Sequence, residues 1–532
     1  MEARPSCPRC GKLMVNGART PAGTIRWRCQ SNTGGRRVLC YQTTDPSQPP
    51  RDQKQNSTDT NPKFRRKLAS KVLLITWAQN ATPVHKGAMG AMRGFCDFRG
   101  ADLVVIAGRY KNPTSRWTRS QENAETWADE VQPWLYNQRK KLCKGLALLG
   151  DVKVQPTAQS PLSGLEGLTH GESTVVGHPR AQMRCVPTPQ NALPKVLRTT
   201  GAVTVQNYTD SKAGKVGEFH HHLGGIVVEV VGSKFHMRRV SCAQDGTFID
   251  LDVQYNPDGS VEAAPPYPGL ICGDAHMRFA EPAVVKATFA PGGLADRLDA
   301  EQIVWHDLMD AYSVNPHHKG NALIAIAKQR AGLHDLEREV RDTIDWMIQQ
   351  ARGRPSVVVA SNHDNMIARH IINRDWRDDP VNAEFHLETA LHMARSAKME
   401  DSGASYIDPF QYWVERLKGD APVQCLGKNE SLQIMGVECG MHGDDGPNGA
   451  RGSIKNLSRL GTKVMSGHGH SPAEEEGHAR VGTMSRLDLE YVSGPSSWMH
   501  AHGAVDALGK MHLFLFINGK YTAMEPYSEV KK

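Results

Sequence analysis

The chain has 532 residues and a formal net charge of +8, which makes it too long for one hydrophobic core and suggests about three or four domains. No apolar run reaches the ~20 residues that cross a bilayer, and the first residues lack the apolar core of a secretory signal, which excludes helical membrane proteins and makes cytoplasm the expectation. Residues 1–70 hold 14 Lys or Arg against 4 acids while the rest carries 50 against 52, so the whole basic excess sits in the first segment and points to a polyanionic partner, DNA first.

Cys7 and Cys10 are separated by two residues and followed by Gly11, a spacing that lets two thiolates chelate one ion from a tight turn. Cys29 and Cys40 would complete a four-thiolate set, although ten residues separate them. The stretch 24–29 resembles the strand entering the second knuckle of zinc ribbons in transposases and other DNA-handling proteins. That implies a ribbon with structural Zn²⁺ over 1–43; the alternative is a pair of unligated thiols. Arg9, Arg26, Arg28, Arg36 and Arg37 would then contact phosphates, and Trp27 would offer a stacking face. Residues 44–70, rich in Pro, Ser, Thr, Asn and Gln, read as a basic flexible linker whose end, Lys63 to Lys67, can follow a phosphate backbone. The seven remaining cysteines are scattered singly, as reduced thiols are in a cytosolic chain.

An apolar run at 71–76, a helical pattern near 85–99 and a second run at 101–106 read as a βαβ unit and therefore a parallel sheet. Further strands are expected near 145–155, 173–177 and 202–206. His220, His221 and His222 cannot all face one ion from a strand, because alternate side chains point to opposite faces. Either they lie at the surface or one or two approach the site that follows. A β-meander over 226–253 closes an accessory α/β domain at 71–260.

From there the histidines and acids gather at the ends of apolar runs. Asp274 and His276 follow the run 268–272, and Asp307 and Asp310 follow 303–305. Asn362, His363 and Asp364 follow 356–360, His442 follows 436–439, and His468 and His470 follow 463–466. An amphipathic helix over 333–351 separates the second group from the third. Steps of 25 to 78 residues divide the groups. In this order they resemble the five motifs of the calcineurin-like metallophosphoesterases, D-x-H, G-D-x-x-D, G-N-H-D, a lone His and G-H-x-H. His306 and Ser361 stand where that pattern has Gly.

The resemblance covers roughly 265–525 and implies an α/β (α+β) catalytic domain at 261–532, a four-layer β-sandwich flanked by helices. It implies that Asp274, His276 and His470 hold one divalent ion, that Asn362 and His468 hold a second, that Asp307 bridges both, and that His442 supplies the fourth element of the ligand set. Two such ions set about 3.5–4 Å apart activate a water for in-line attack on phosphorus. His363 would stabilise the phosphate, Asp364 would orient that imidazole, and Arg451 in the Gly-rich loop after His442 would clamp a phosphate. The oxygen and imidazole ligand set suits Mn²⁺, the expected ion, and also Mg²⁺, Fe²⁺ or Zn²⁺. The motif contexts also resemble phage-borne members of the superfamily, including host-DNA-degrading proteins of T5-like phages, which would place the protein in the host cytoplasm. The expected function is thus a DNase, a hydrolase gripping DNA through its ribbon, free of membrane and compatible with a homo-oligomer. The alternatives are a phosphomonoesterase on protein or small phosphoesters, or a non-catalytic nucleic-acid-binding protein.

Overall fold

The computed structural model describes residues 6, 12–19, 25–28, 32–33, 36–37, 41–44, 63–117, 126–189, 192–400, 403–490 and 492–530. The chain divides into two compact units, Met1–Pro62 and Lys63–Lys532. In the first, Val15–Arg19, Ile25–Arg28 and Tyr41–Thr44 form a three-stranded antiparallel sheet. The expected linker ends earlier than its composition suggests. Phe64 packs edge-on against Trp127 at 5.4 Å, and the Arg66 guanidinium donates to the Leu103 carbonyl and pairs with Asp102 at 3.2 Å. Those basic residues therefore start the second unit instead of trailing free.

That unit is a mixed α/β body built on three large sheets. The expected βαβ unit is present: Val72–Gln79 and Asp102–Gly108 pair in parallel around the helix Lys86–Arg99. Gly87, Gly90 and Gly94 let that helix approach backbone closely; a Cβ at Gly90 would stand 1.9 Å from the Pro257 carbonyl oxygen. With Leu135–Tyr136 and the hairpin Gly224–Val231/Lys234–Ser241, these strands make a five-stranded sheet. A six-stranded sheet runs Val423–Cys425, Ser356–Val358, Ile303–Trp305, Gly269–Ile271, then the hairpin Ala501–Val505/Met511–Leu515. Alternation along the strands decides what each face buries. Leu270, Ile303, Trp305 and Val358 join a core with the helices Pro282–Phe289, Leu336–Ala351, Asn365–Asn373, Ala383–Ser396 and Pro409–Leu417. Their neighbours Ile271, Val304 and Val357 face the other way, onto a ten-stranded sheet.

The ten-stranded sheet shows that the expected division at 260 does not separate two bodies. Its order is Arg139–Cys143, Leu146–Leu149, Ser173–Val176, Lys195–Thr199, Gln182–Val186, then Ala473–Glu475, His478–Arg480, Lys463–Ser466, Val437–Glu438, Gln433–Ile434. Strands from both sides of residue 260 are thus joined in one sheet through the pair Met183–Glu474, over one core. Its outer face is covered by Leu162 and the turns around it, over Leu149, Val176 and Leu197, where the resemblance had implied a fourth layer.

The two halves of this unit repeat each other. Each begins with a strand, a capped helix and a parallel strand, adds five strands to the ten-stranded sheet in mirrored order with the same pairing senses, and ends in a hairpin beside its first strand. The central pair, Gln182–Val186 with Ala473–Glu475, is antiparallel, so an approximate two-fold axis passes between them. The match reaches single hydrogen bonds. Val203 N–H donates to Trp77 O at 2.9 Å, and Met484 N–H to Asp274 O at 2.8 Å; His85 and Glu281, each an N-cap, donate to Val203 O and Met484 O at 2.8 Å. The segment 202–206, expected as a strand, is instead irregular, as is its counterpart 485–490, and in each an isolated bridge, Val84–Thr204 or Ala280–Ser485, ties the chain to the residue before a helix cap.

Candidate metal centre

Three adjacent parallel strands of the six-stranded sheet end in Asp274 and His276, in Asp307, and in Asn362 and His363. Two parallel neighbours of the ten-stranded sheet end in His442 and in His468 and His470. Loops beyond the carboxyl ends of parallel strands form the cleft of an α/β fold, and here the ends of two facing sheets converge.

The structure brings all seven expected ligands together. Asp274, His276, Asp307 and His470 each offer one ligand atom within 4.8 Å of the others, and so do Asp307, His442 and His468. Asn362 Oδ1 lies 3.1 Å from both His442 Nε2 and His468 Nδ1, which adds the amide to the second set. Asp307 belongs to both sets. His276 Nε2 and His470 Nε2 face each other at 3.1 Å, an arrangement that needs a proton or a cation between them, and Asp307 Oδ1 is buried without a donor. The cluster is built of acceptors, and its residues could hold metal ions.

Backbone strain marks the same residues. His276, Asp307, His468 and His470 have φ of 39°, 40°, 65° and 47°, a left-handed region that costs a non-Gly residue of order 1–3 kcal/mol and gathers at functional sites. Glycine is needed beside them: a Cβ at Gly467 would stand 2.4 Å from Asp274 Oδ1.

The electrostatics call for positive charge. Burial alone would lower the His276 imidazole, yet its hydrogen bond to Asp310 and the surrounding carboxylates carry it up to about 9. His442 is likewise lowered by burial but lifted to about 10 by Asp307 and Asp274. Burial would raise Asp274, but His470 and His442 hold it down to about 2. In the metal-free protein, protons on His276 and His442 supply the charge that ions would bring. Their folded values lie above the ordinary 6.5, so the stability they give is complete below about pH 6.5 and is lost as pH rises through 9 and 10. The melting temperature of protein held in chelator should therefore fall across that window, while a divalent ion held by these imidazoles would keep them deprotonated and should flatten the fall.

Around the seven, the structure reassigns several parts. Asp310, the second acid of its motif, has Oδ1 3.1 Å from His276 Nδ1, and its backbone carbonyl lies 2.8 Å from His363 Nδ1. The partner that orients His363 is thus Asp310, not Asp364. Asp364 is 3% exposed, its backbone N–H donates to Ser361 Oγ at 3.3 Å, and burial with Asp408 and Asp307 nearby pushes its carboxyl well up. Arg451 is exposed, bridged through its backbone to Asp445, and makes no ion pair with the seven ligands among the described residues. His306 is fully buried with both ring nitrogens unpartnered.

Sequence reading gave His502 and Trp498 no role. His502 Nδ1 accepts from Gly273 N–H at 2.9 Å and Nε2 meets Thr288 Oγ1 at 3.0 Å, which pins the turn that presents Asp274. The Trp498 ring stands edge-to-face on His470 at 4.1 Å, an apolar wall beside the first set. The chain before it is paired with the first half, through backbone hydrogen bonds in both directions between Thr188 and Ser496 at 3.0 and 2.9 Å.

Among the described residues, the metal-capable groups all lie in the second half. In the first, Trp77 stands at the place of Asp274, and the end of Ser173–Val176 carries Gly177, His178 and Arg180 as the end of Lys463–Ser466 carries Gly467, His468 and His470. A Cβ on Gly177 would meet Ile106 and Trp77, as one on Gly467 would meet His306 and Asp274. An indole therefore fills the space that in the other half holds a carboxylate.

Of the expected ribbon, Cys7, Cys10, Cys29, Cys40 and Arg9 lie outside the described residues. Arg26 and Arg28 fall in the strand Ile25–Arg28, and Arg36 and Arg37 in a two-residue strand paired with Asn32–Thr33. Trp27 is 4% exposed, so its ring offers no stacking face, contrary to expectation. His220, His221 and His222 neither project from the surface nor reach the metal residues; they line a cavity of about 1070 Å³.

No family model matches the chain, and no solved structure matches it. Over 468 residues it is 29% identical to Protein A1 of Escherichia phage T5, an alignment that covers 85% of this chain and 83% of that protein.

Proposed function

We propose that the protein is a phage-encoded phosphodiesterase that hydrolyses DNA with two divalent ions, acting in the host cytoplasm. The observation that carries this reading is Asp307, one carboxylate common to two ligand sets. Two cations held by these residues would supply an activated water for in-line attack on phosphorus and would screen the charge that develops there. Oxygen and nitrogen ligands without thiolate favour Mn²⁺.

The chain's own residues account for the rest. With Nδ1 donating to the Asp310 carbonyl, His363 is fixed in ring orientation and tautomer, and Nε2 is the nitrogen left for a phosphate oxygen or a leaving group. The edge of Trp498 against His470 gives a base next to the scissile phosphate an apolar wall. The basic first segment supplies a grip on DNA that does not depend on base sequence. The motif-level resemblance to phage-borne phosphoesterases and the likeness to a phage T5 protein point the same way.

Incubating Mn²⁺-loaded protein with plasmid, linear DNA, RNA and p-nitrophenyl phosphate tests the reading. DNA should be cut, cutting should vanish in Asp274→Ala, and removal of residues 1–62 should weaken DNA affinity with a shallower salt dependence while leaving p-nitrophenyl phosphate turnover unchanged. Intact DNA beside rapid turnover of the monoester would overturn it.

A further inference from the structure

The cavity of about 1070 Å³ matches the upper end of the range of small-ligand sites, and it lies where the two halves meet. Part of its lining is cationic. Lys463 is exposed, Lys510 is half-buried, and neither forms an ion pair among the described residues. Burial and then Lys463 push the Lys510 ammonium down, and burial, Arg239 and Lys510 do the same to His222, so like charges crowd there. Three acids line the cavity: Glu474 is taken by Arg198 and Arg239, Glu476 by Arg180, and Glu475 forms no ion pair among the described residues; Asp506 draws the Lys510 ammonium back up, but its carboxylate already accepts from the Lys510 backbone N–H and from His512. Arg180 itself is 3% exposed and its Nε and Nη2 have no acceptor.

Another part of the lining is aromatic. Phe219 is 83% exposed, a costly place for a phenyl ring, and stands edge-to-face on His220 at 4.9 Å. Arg180 occupies the place in the first half that His470 holds in the second, so where one half has a metal ligand the other keeps a fixed cation.

We propose that this cavity binds a nucleoside monophosphate, its phosphate between Lys463, Lys510 and His222 and its base against Phe219 and His220. Two ammonium groups that line one cavity and form no ion pair among the described residues favour a phosphate, because a bound anion relieves their repulsion and gives their N–H donors an acceptor. The assignment does not depend on the nuclease reading.

Calorimetric titration of the full-length protein in EDTA with dAMP, deoxyadenosine and inorganic phosphate tests it. Saturable binding of dAMP is expected, tighter than that of either fragment, and unchanged in Asp274→Asn, which separates it from the metal centre. The double variant Lys463→Met/Lys510→Met should lose about tenfold or more in affinity for dAMP and for phosphate, the loss expected for charge-assisted hydrogen bonds. Phe219→Ala, at an exposed position, should weaken dAMP and leave phosphate binding as it was. An absence of dAMP binding in EDTA, an undiminished affinity in a folded lysine double variant, or equal affinity for dAMP and deoxyadenosine would each overturn the proposal.

Discussion

Replacing Asp307 by Asn should remove both ions together and cut metal-dependent hydrolysis by ~10³-fold or more, about 4 kcal/mol of transition-state stabilisation. Asp307 Oδ2 lies 3.1 Å from His442 Nε2 and 3.7 Å from His276 Nε2, one imidazole from each set. An amide in its place keeps the shape but offers one neutral oxygen, and its NH₂ would point at groups that already carry or attract positive charge. Asp310→Asn makes the informative comparison. That side chain lies 3.1 Å from His276 Nδ1 and 3.9 Å from His363 Nδ1 and pairs with no imidazole of the second set, so it should weaken one ion by roughly 10–100-fold, as other outer-sphere changes do, without emptying the pair. Metal content per chain, measured alongside cleavage, separates the two cases. An Asp307→Asn protein that still carries two ions at wild-type activity would show that the carboxylate is not shared.

The ligand set was legible because each member ends a short apolar run, and buried parallel strands read as such runs whatever surrounds them. Strand ends and side-chain types are local properties, so Asp274, Asp307, Asn362 and His468 could be identified one by one. The tautomer-setting partner of His363 could not. Asp364 is adjacent in sequence, but the helix it starts, Asn365–Asn373, turns it into a buried pocket with Asp408, and a backbone carbonyl 53 positions away takes its place. The boundary at 260 failed for a related reason. Composition reports what one segment can bury, whereas the ten-stranded sheet is completed by a pairing between residues nearly three hundred positions apart. The repeat was hidden because the halves share pairing pattern rather than residues. Gly177 and His178 after a β-prone run were its one local signal, and they read as nothing without the strands that place them opposite Gly467 and His468.

Glu474 gives the second large effect, because it is where the halves are joined electrostatically. It comes from the second half and sits buried between Arg198 at 2.7 Å and Arg239 at 3.1 Å, both from the first. Burial would raise its carboxyl, yet the two guanidiniums hold it down to about 2. A folded value below the ordinary 4.5 means that its contribution is complete above that pH and is lost as pH falls towards about 2. Glu474→Ala leaves two guanidiniums facing each other with no anion, a change of the kind that costs ~3–5 kcal/mol. The loss should appear as a lower melting temperature and, since the pair Met183–Glu474 closes the central sheet, as broader unfolding in which the halves no longer melt together. Glu474→Gln should recover shape but little stability, because the deficit is charge. Replacing all three residues with apolar ones of similar volume should recover much of it, as removal of a whole buried ionic group often does. A Glu474→Ala protein that melts as the wild type does would mean that solvent reaches the guanidiniums and that the two halves are held by their shared core alone.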